Sequence, residues 1–167
     1  MEETVFLGLG TNLGDRENNL LMAVNMIREE IGMEIDCSSV YETEPWGFLS
    51  DNPFLNMVVR VTTSLKPQEV LEKTLMIEAR LGRRRGVRRY VSRTMDIDIL
   101  LYGTDVINNE NLEIPHPGIA VRRFVLEPLR ELAPEMMHPV LKVTFSELLM
   151  KCRDKRAVSA KHPFSAG

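Results

Sequence analysis

Cysteine is scarce in this chain: Cys37 and Cys152 are the only two in 167 residues, and they lie far apart. No disulfide framework follows from them, so free thiols in a reducing compartment are expected. Long apolar runs are absent too, and nothing approaches the roughly 20 residues needed to cross a bilayer. The start, Met1-Glu2-Glu3-Thr4, is acidic and lacks the basic opening of a signal peptide. A cytoplasmic protein without membrane contact is therefore expected. An excess of positive charge is also missing, for the net charge is −3 and the pI is near 5.7. That excludes a general nucleic-acid binder, whose footprint is basic overall. No internal repeat and no linker composition is visible, so residues 1–167 read as one domain. The tail 153–167 is polar, has no sustained period, and is expected to be peripheral and frayed.

What is present reads as alternating strands and helices. Thr4 to Leu9 is a short apolar strand running into Gly8-Leu9-Gly10-Thr11-Asn12-Leu13-Gly14, a predicted turn. Leu20, Val24, Ile27 and Ile31 recur at helical spacing, and Gly32 stops that helix. Ile35 to Tyr41 reads as a strand, Thr43 to Pro53 as a loop, and Phe54 to Thr63 as a β-branched strand. Pro67 opens a helix that runs to Leu81 and is closed by Gly82. Met95 to Tyr102 is the next strand. Gly103 to Asn111 holds a turn with room for a short strand, Leu112 to Gly118 an irregular stop, Ala120 to Leu132 a helix, and Thr144 to Cys152 a last short one. The order βαββαβ, with C-terminal additions, predicts an α+β, ferredoxin-like antiparallel sheet carrying its helices on one face. A doubly wound parallel sheet fits less well, because no helix separates the second and third strands.

Chemistry concentrates in one stretch. Arg83, Arg84, Arg85, Arg88, Arg89 and Arg93 place six arginines in eleven residues, directly before Asp96-Ile97-Asp98. In a strand, side chains at i and i+2 share a face and lie about 7 Å apart. Asp96 and Asp98 therefore share one face, and Ile97, Ile99 and Leu101 the other. Two hard carboxylates suit Mg²⁺, which completes its shell with phosphate oxygens and water. Guanidinium groups match phosphate oxygens in pairs. Alone, the acidic pair would more often be a solvated face, and the arginine run a nucleic-acid contact or an exposed loop. Their adjacency points to transfer chemistry on a polyphosphate.

Other features leave alternatives open. The glycine run has G-x-G-x-x-x-G spacing, one residue too long for a dinucleotide fingerprint. Glu78 shares a helical face with Leu71 and Leu75, so it sits at the sheet rim or reaches a ligand. His116, between Pro115 and Pro117, either stabilises a turn or donates to a phosphate. Arg122 and Arg123 open a helix, where anions are favoured. Phe54 and Phe124 are either core or the two walls of a slot for a flat ring.

Together these residues resemble the 6-hydroxymethyl-7,8-dihydropterin pyrophosphokinase family of folate biosynthesis. The matching pieces are Gly8 to Gly14, Tyr41 to Gly47, Phe54-Leu55-Asn56, Glu78 with Leu81-Gly82-Arg83, Arg93 to Gly103, Ile114 to Pro117 and Arg122 to Leu129, spread from about Thr4 to Pro139. The Arg-Thr-x-Asp-x-Asp block is the most specific. The resemblance implies transfer of the β,γ-diphosphate of ATP to the pterin hydroxymethyl group, with release of AMP. It implies two Mg²⁺ ions on Asp96 and Asp98, and phosphate charge stabilised by Arg83 and Arg93. Thr43, Glu44, Trp46, Phe54, Asn56 and Phe124 would hold the pterin. Glu78, Arg85, Arg93, Ile99, His116 and Arg122 would hold ATP. Trp46 to Asn52 and Gly82 to Ser92 would be closing loops. A monomer or weak homodimer is expected, with ATP and the reduced pterin as partners and no nucleic acid.

Tyr90, Pro117 and Glu44 depart from the family pattern, which carries tryptophan, tyrosine and proline there. Two other classes remain. An RNA-binding module would need exposed aromatics on a sheet face and a basic surface. A nucleotidyl transferase or cyclase would also use paired aspartates, but would release pyrophosphate.

Overall fold

Val5, Leu7 and Leu9 point to one side of the first strand, and Phe6, Gly8 and Gly10 to the other. That alternation organises the molecule. The computed structural model describes residues 1–43, 53–82, 95–155 and 158–164. Its elements are β1 (Glu3–Thr11), α1 (Arg16–Glu30), β2 (Ile35–Cys37), β3 (Val40–Thr43), β4 (Phe54–Thr63), α2 (Pro67–Arg80) and β5 (Asp96–Tyr102). There follow β6 (Ile107–Asn108), β7 (Glu113–Ile114), a 3₁₀ turn (Ile119–Val121), α3 (Arg123–Leu132), α4 (Phe145–Lys151) and β8 (Val158–His162). The main sheet has the order β5-β1-β4-β3-β8, with β2 also on β4, and every pairing in it is antiparallel. No helix among the described residues is long and apolar enough to cross a membrane.

The helices occupy both faces, not the single face predicted. Leu20, Ala23, Val24 and Ile27 of α1 and Val70 and Ile77 of α2 pack on the Val5–Leu7–Leu9 side. On the opposite side, Val125, Leu126 and Leu129 of α3 and Phe145, Leu148 and Leu149 of α4 cover Phe6, Val58, Leu100 and Leu101. The sheet is apolar on both faces, so one layer of helices would have left Phe6 and Leu101 in water.

Local chemistry sets the element ends. Asp15 caps α1 by accepting from Asn18 N at 3.1 Å. Glu69 reaches back to Lys66 N at 2.9 Å at the start of α2, where Pro67 occupies the first turn. A Cβ on Gly32 would lie 1.9 Å from the carbonyl oxygen of Thr62, so only glycine fits where α1 turns against β4.

Four predicted elements change. The strand expected over Ile35 to Tyr41 breaks at Ser38-Ser39, because Ser38 Oγ itself accepts from Val58 N at 2.9 Å while Ser39 N turns to the Glu131 carboxylate at 3.0 Å. The helix expected from Ala120 starts as a 3₁₀ turn and becomes α-helical only at Arg123. The tail does not simply fray, for β8 pairs with β3. Leu101 leaves the Ile97–Ile99 face: Phe6 opposes Leu101 while Leu7 opposes Ile99, so β5 bulges at Leu100. Leu100 and Leu101 therefore both face α3, and Tyr102 returns to the α1–α2 side.

Candidate active site

The floor of the site is a gap made by two glycines. Gly8 and Gly10 lie inside β1, not in the turn that the sequence suggested; of that run, Gly14 has a positive φ, of 74°. Gly10 stands opposite Asp96 on β5 and Asn56 on β4, and Gly8 opposite Asp98 and Val58. Tyr41 stands opposite Asn56, and Thr43 opposite Phe54. One rung thus reads Asp96, Gly10, Asn56, Tyr41. With strands about 4.8 Å apart, the carboxylate strand and the amide strand are about 10 Å apart across bare backbone. A Cβ on Gly10 would lie 3.1 Å from Asn56 Oδ1 and 3.8 Å from the Phe54 ring. The spacing of the two glycines, in phase with a strand, was the signal in the sequence for this floor.

On one side of the floor are the acids. Asp96 and Asp98 share the face predicted for them, both are partly exposed, and 41% of the Asp98 side chain is accessible. His116, after the cis Ile114–Pro115 bond, brings Nε2 to 3.8 Å from Asp98 Oδ2. Its Nδ1 accepts from Gly118 N at 2.9 Å, which assigns the proton to Nε2. Burial, then the nearby Arg122 guanidinium, push the His116 pKa below its ordinary range, against the pull of Asp96 and Glu113. The ring is therefore neutral at pH 7, and its approach to Asp98 is a dipolar contact, not an ion pair. Arg122 lies over the same turn, since a Cβ on Gly118 would meet both Arg122 Nε and His116 Nδ1 at 3.1 Å. His116 thus both braces a turn and presents a donor.

The other side of the floor is amphipathic. Asn56 and Thr43 are buried, and Asn56 Nδ2 donates to Thr43 Oγ1 at 2.8 Å. That bond leaves Oδ1 facing the glycine floor. Phe54 is half-buried on the same face of β4. Phe124, in the first turn of α3, packs against the core on that face, with the Arg122 guanidinium 5.9 Å from its ring. Behind them, Tyr41 Oη donates to Glu131 at 2.6 Å.

Two further predicted residues sit deeper than the rest. The Ile99 side chain is buried in the α1–α2 core, leaving its backbone as the part a ligand could read. Glu78 is 1% exposed, and its Oε2 accepts from Ile97 N at 2.7 Å. Glu44, Trp46, Arg83, Arg85 and Arg93 lie outside the described residues, as do nearly all of the two predicted loops. Among the described residues, no three His, Cys, Asp or Glu side chains cluster to hold a metal. Two adjacent carboxylates beside open space suit a hard cation that takes its remaining ligands from phosphate and water.

Comparison with known proteins points to a single family. A family model for 7,8-dihydro-6-hydroxymethylpterin-pyrophosphokinase matches residues 6–134. A 2-amino-4-hydroxy-6-hydroxymethyldihydropteridine pyrophosphokinase of Aquifex aeolicus is 41% identical over 144 residues, covering 86% of this chain and 89% of that protein. The Bacillus subtilis protein of the same name is 43% identical over 137 residues, 81% of each chain. Among solved structures, wild-type Plasmodium falciparum HPPK-DHPS with pteroate has a TM-score of 0.73 at 20% identity, over 90% of this chain and 42% of that one. The present chain thus spans less than half of that structure, and the likeness there is one of fold. On its matched residues and its bacterial relatives, the chain belongs to the 7,8-dihydro-6-hydroxymethylpterin-pyrophosphokinase family.

Proposed function

We propose that the chain transfers the β,γ-diphosphate of ATP, as one unit, to the hydroxymethyl oxygen of 6-hydroxymethyl-7,8-dihydropterin, a step of folate biosynthesis. One observation carries the reading: the Asp96 carboxylate and the buried Asn56 amide flank Gly10 on a single rung of the sheet, with Asp98 beside Asp96 on the same face, opposite Gly8. A flat ring lying on that floor, read at one edge by Asn56, would extend its opposite edge toward Asp96 and Asp98. We also assign the ferredoxin-like fold, supported by the order β5-β1-β4-β3 with the second strand split in two.

In the reaction, the hydroxymethyl oxygen attacks the β-phosphorus and loses its proton to solvent. The bond from the β-phosphorus to the oxygen bridging it to the α-phosphate breaks, its electron pair stays on that oxygen, and AMP leaves. Asp96 and Asp98 would hold Mg²⁺. Bound there, it would supply charge neutralisation for the triphosphate and lower the pKa of the attacking hydroxyl. His116 Nε2–H and Arg122 would offer donors at the same edge, where charge grows on phosphate oxygens. Arg83 and Arg93 are assigned the same task, and Arg85 the binding of ATP. Phe54 and Phe124 would hold the ring, while Thr43 fixes the Asn56 amide and Glu44 and Trp46 complete the pocket. A ring without the matching edge leaves the Asn56 amide unpaired, which is costly in a buried site. A cytoplasmic monomer or weak homodimer completes the reading.

Product analysis tests it. With Mg²⁺, the reduced pterin and ATP labelled at the β-phosphate, the label should move to the pterin as AMP accumulates. Formation of ADP, or release of pyrophosphate without a labelled pterin, would overturn the proposal.

A further inference from the structure

We propose that Glu78 is a positioning residue for the acidic pair, acting on the backbone between the two aspartates. The inference rests on the reading of Asp96 and Asp98 as the cation-holding residues.

The argument begins at the edge of the sheet. Among the described residues, β5 is the outermost strand on its side and pairs within the main sheet only with β1. On such a strand, alternate backbone N–H groups point away from the neighbour and need another acceptor when buried. Ile97 is 4% exposed and sits between Asp96 and Asp98. Its N–H goes to Glu78 Oε2 at 2.7 Å, a short bond to a side-chain carboxyl. The acceptor comes from α2, which is itself anchored in the core by Val70, Thr74 and Ile77.

The consequence is geometric. Asp96 and Asp98 project from the backbone on either side of Ile97, so a change in φ or ψ at that residue swings one carboxylate relative to the other. Pairing with β1 ties Asp96 to Gly10 and Asp98 to Gly8, but neither glycine has a side chain to buttress an aspartate. The Glu78 bond fixes the peptide from the free edge. At 1% exposure, Glu78 is placed to hold the strand and not to be a primary contact of a solvent-borne ligand. This accounts for a carboxylate on an otherwise apolar helix face.

Charge and reach separate this role from direct contact with nucleotide or metal. Glu78→Gln keeps an acceptor oxygen at the same reach, whereas Glu78→Asp keeps the charge and withdraws the oxygen by one methylene. Mn²⁺ affinity should be measured by electron paramagnetic resonance with a non-hydrolysable ATP analogue. Outer partners of metal ligands typically contribute about 10–100-fold in affinity. Glu78→Asp and Glu78→Leu should therefore weaken Mn²⁺ binding about tenfold or more, while Glu78→Gln stays within about threefold of the parent. In metal-free protein, the Ile97 amide proton resonance should move upfield in Glu78→Asp, and pterin affinity should hold within about twofold.

If Glu78→Asp binds Mn²⁺ like the parent, the inference is overturned. It is equally overturned if Glu78→Gln loses as much as Glu78→Asp, for the charge would then be what matters. Should Glu78→Leu fail to fold, the Gln and Asp pair still decides. The titration is independent of product identity. A failed diphosphate-transfer reading shows in the AMP assay, and a failed positioning role shows in the Mn²⁺ affinities.

Discussion

Tyr41 donates its hydroxyl to Glu131 across 2.6 Å, binding β3 to α3 on the strand beside Asn56. Glu131 also accepts from Ser39 N at 3.0 Å and Ser39 Oγ at 2.9 Å, so one carboxylate gathers the kinked start of β3. Burial, then the Glu131 bond, raise the Tyr41 pKa well above its ordinary value of 10.0. Above pH 10 the unfolded chain releases this proton while the folded chain keeps it, so stability falls as pH rises. Tyr41→Phe should cost about 1–2 kcal/mol near neutrality and flatten the alkaline decline. Thermal melts at pH 8 and above pH 10 check both parts.

The Asn56–Thr43 bond predicts a graded effect on pterin use. Asn56→Ala should raise the pterin KM about 10- to 100-fold with ATP saturating, because it removes the edge-reading amide. Thr43→Val leaves the amide in place but unanchored, and should cost about tenfold or less. Equal effects in steady-state assays would mean that Thr43 reads the ring directly.

Asp96→Ala and Asp98→Ala should each depress turnover about a thousandfold or more. Both side chains are partly exposed, so the melting temperature should stay within a few degrees of the parent. Near-normal rates in either variant would remove the cation assignment. Arg93→Ala, by contrast, should lower kcat more than it weakens pterin binding in a direct titration.

Gly32→Ala should destabilise by about 1–3 kcal/mol, since the new methyl meets backbone and cannot be relieved by a rotamer change. Its Cβ would stand 1.9 Å from the Thr62 carbonyl oxygen. Chemical denaturation of the two proteins gives the difference, and no loss would show that the corner between α1 and β4 yields freely.

His162 predicts that β8 loosens as pH rises. Its Nδ1 lies 2.8 Å from the Pro163 carbonyl, and its Nε2 lies 2.9 Å from Glu17. Both acceptors are satisfied at once only by the imidazolium. The Pro163 bond, then Glu17, raise the pKa, against Lys161 and slight burial. A raised histidine pKa stabilises fully below the ordinary 6.5 and ceases to do so as pH climbs through the folded-state value. Amide exchange in residues 158–162, corrected for intrinsic rates, should accelerate as pH rises above 6.5 in the parent. In His162→Ala that extra pH dependence should vanish.

The sequence was most legible where one element decides its own structure. β4 begins at Phe54 and ends at Thr63 as its β-branched run implies, and α2 begins at Pro67. The shared face of Asp96 and Asp98 follows from strand period alone. Relations between elements were less visible. Nothing in residues 153–167 indicates that Val158 to His162 will find the edge of β3, because that pairing is long-range. The gathering of His116 and Arg122 near Asp98 depends on a turn and a helix start that meet only in three dimensions. The roles of Gly8 and Gly10 were only half legible: their spacing in phase with a strand is visible, but their contribution is the volume they leave empty.

The bulge at Leu100 decouples the two ends of β5. Since one extra residue is absorbed between Ile99 and Leu101, the acidic end takes its phase from the N-terminal side, and the end bonded by Tyr102 Oη to the Leu65 carbonyl at 2.6 Å takes its phase from the other. Removing Leu100 would restore plain alternation without flipping either aspartate or Tyr102. Removing a residue between Asp96 and Asp98 would instead send one acid into the hydrocarbon interior. Length variation in this strand is therefore tolerable at one position and ruinous three residues earlier.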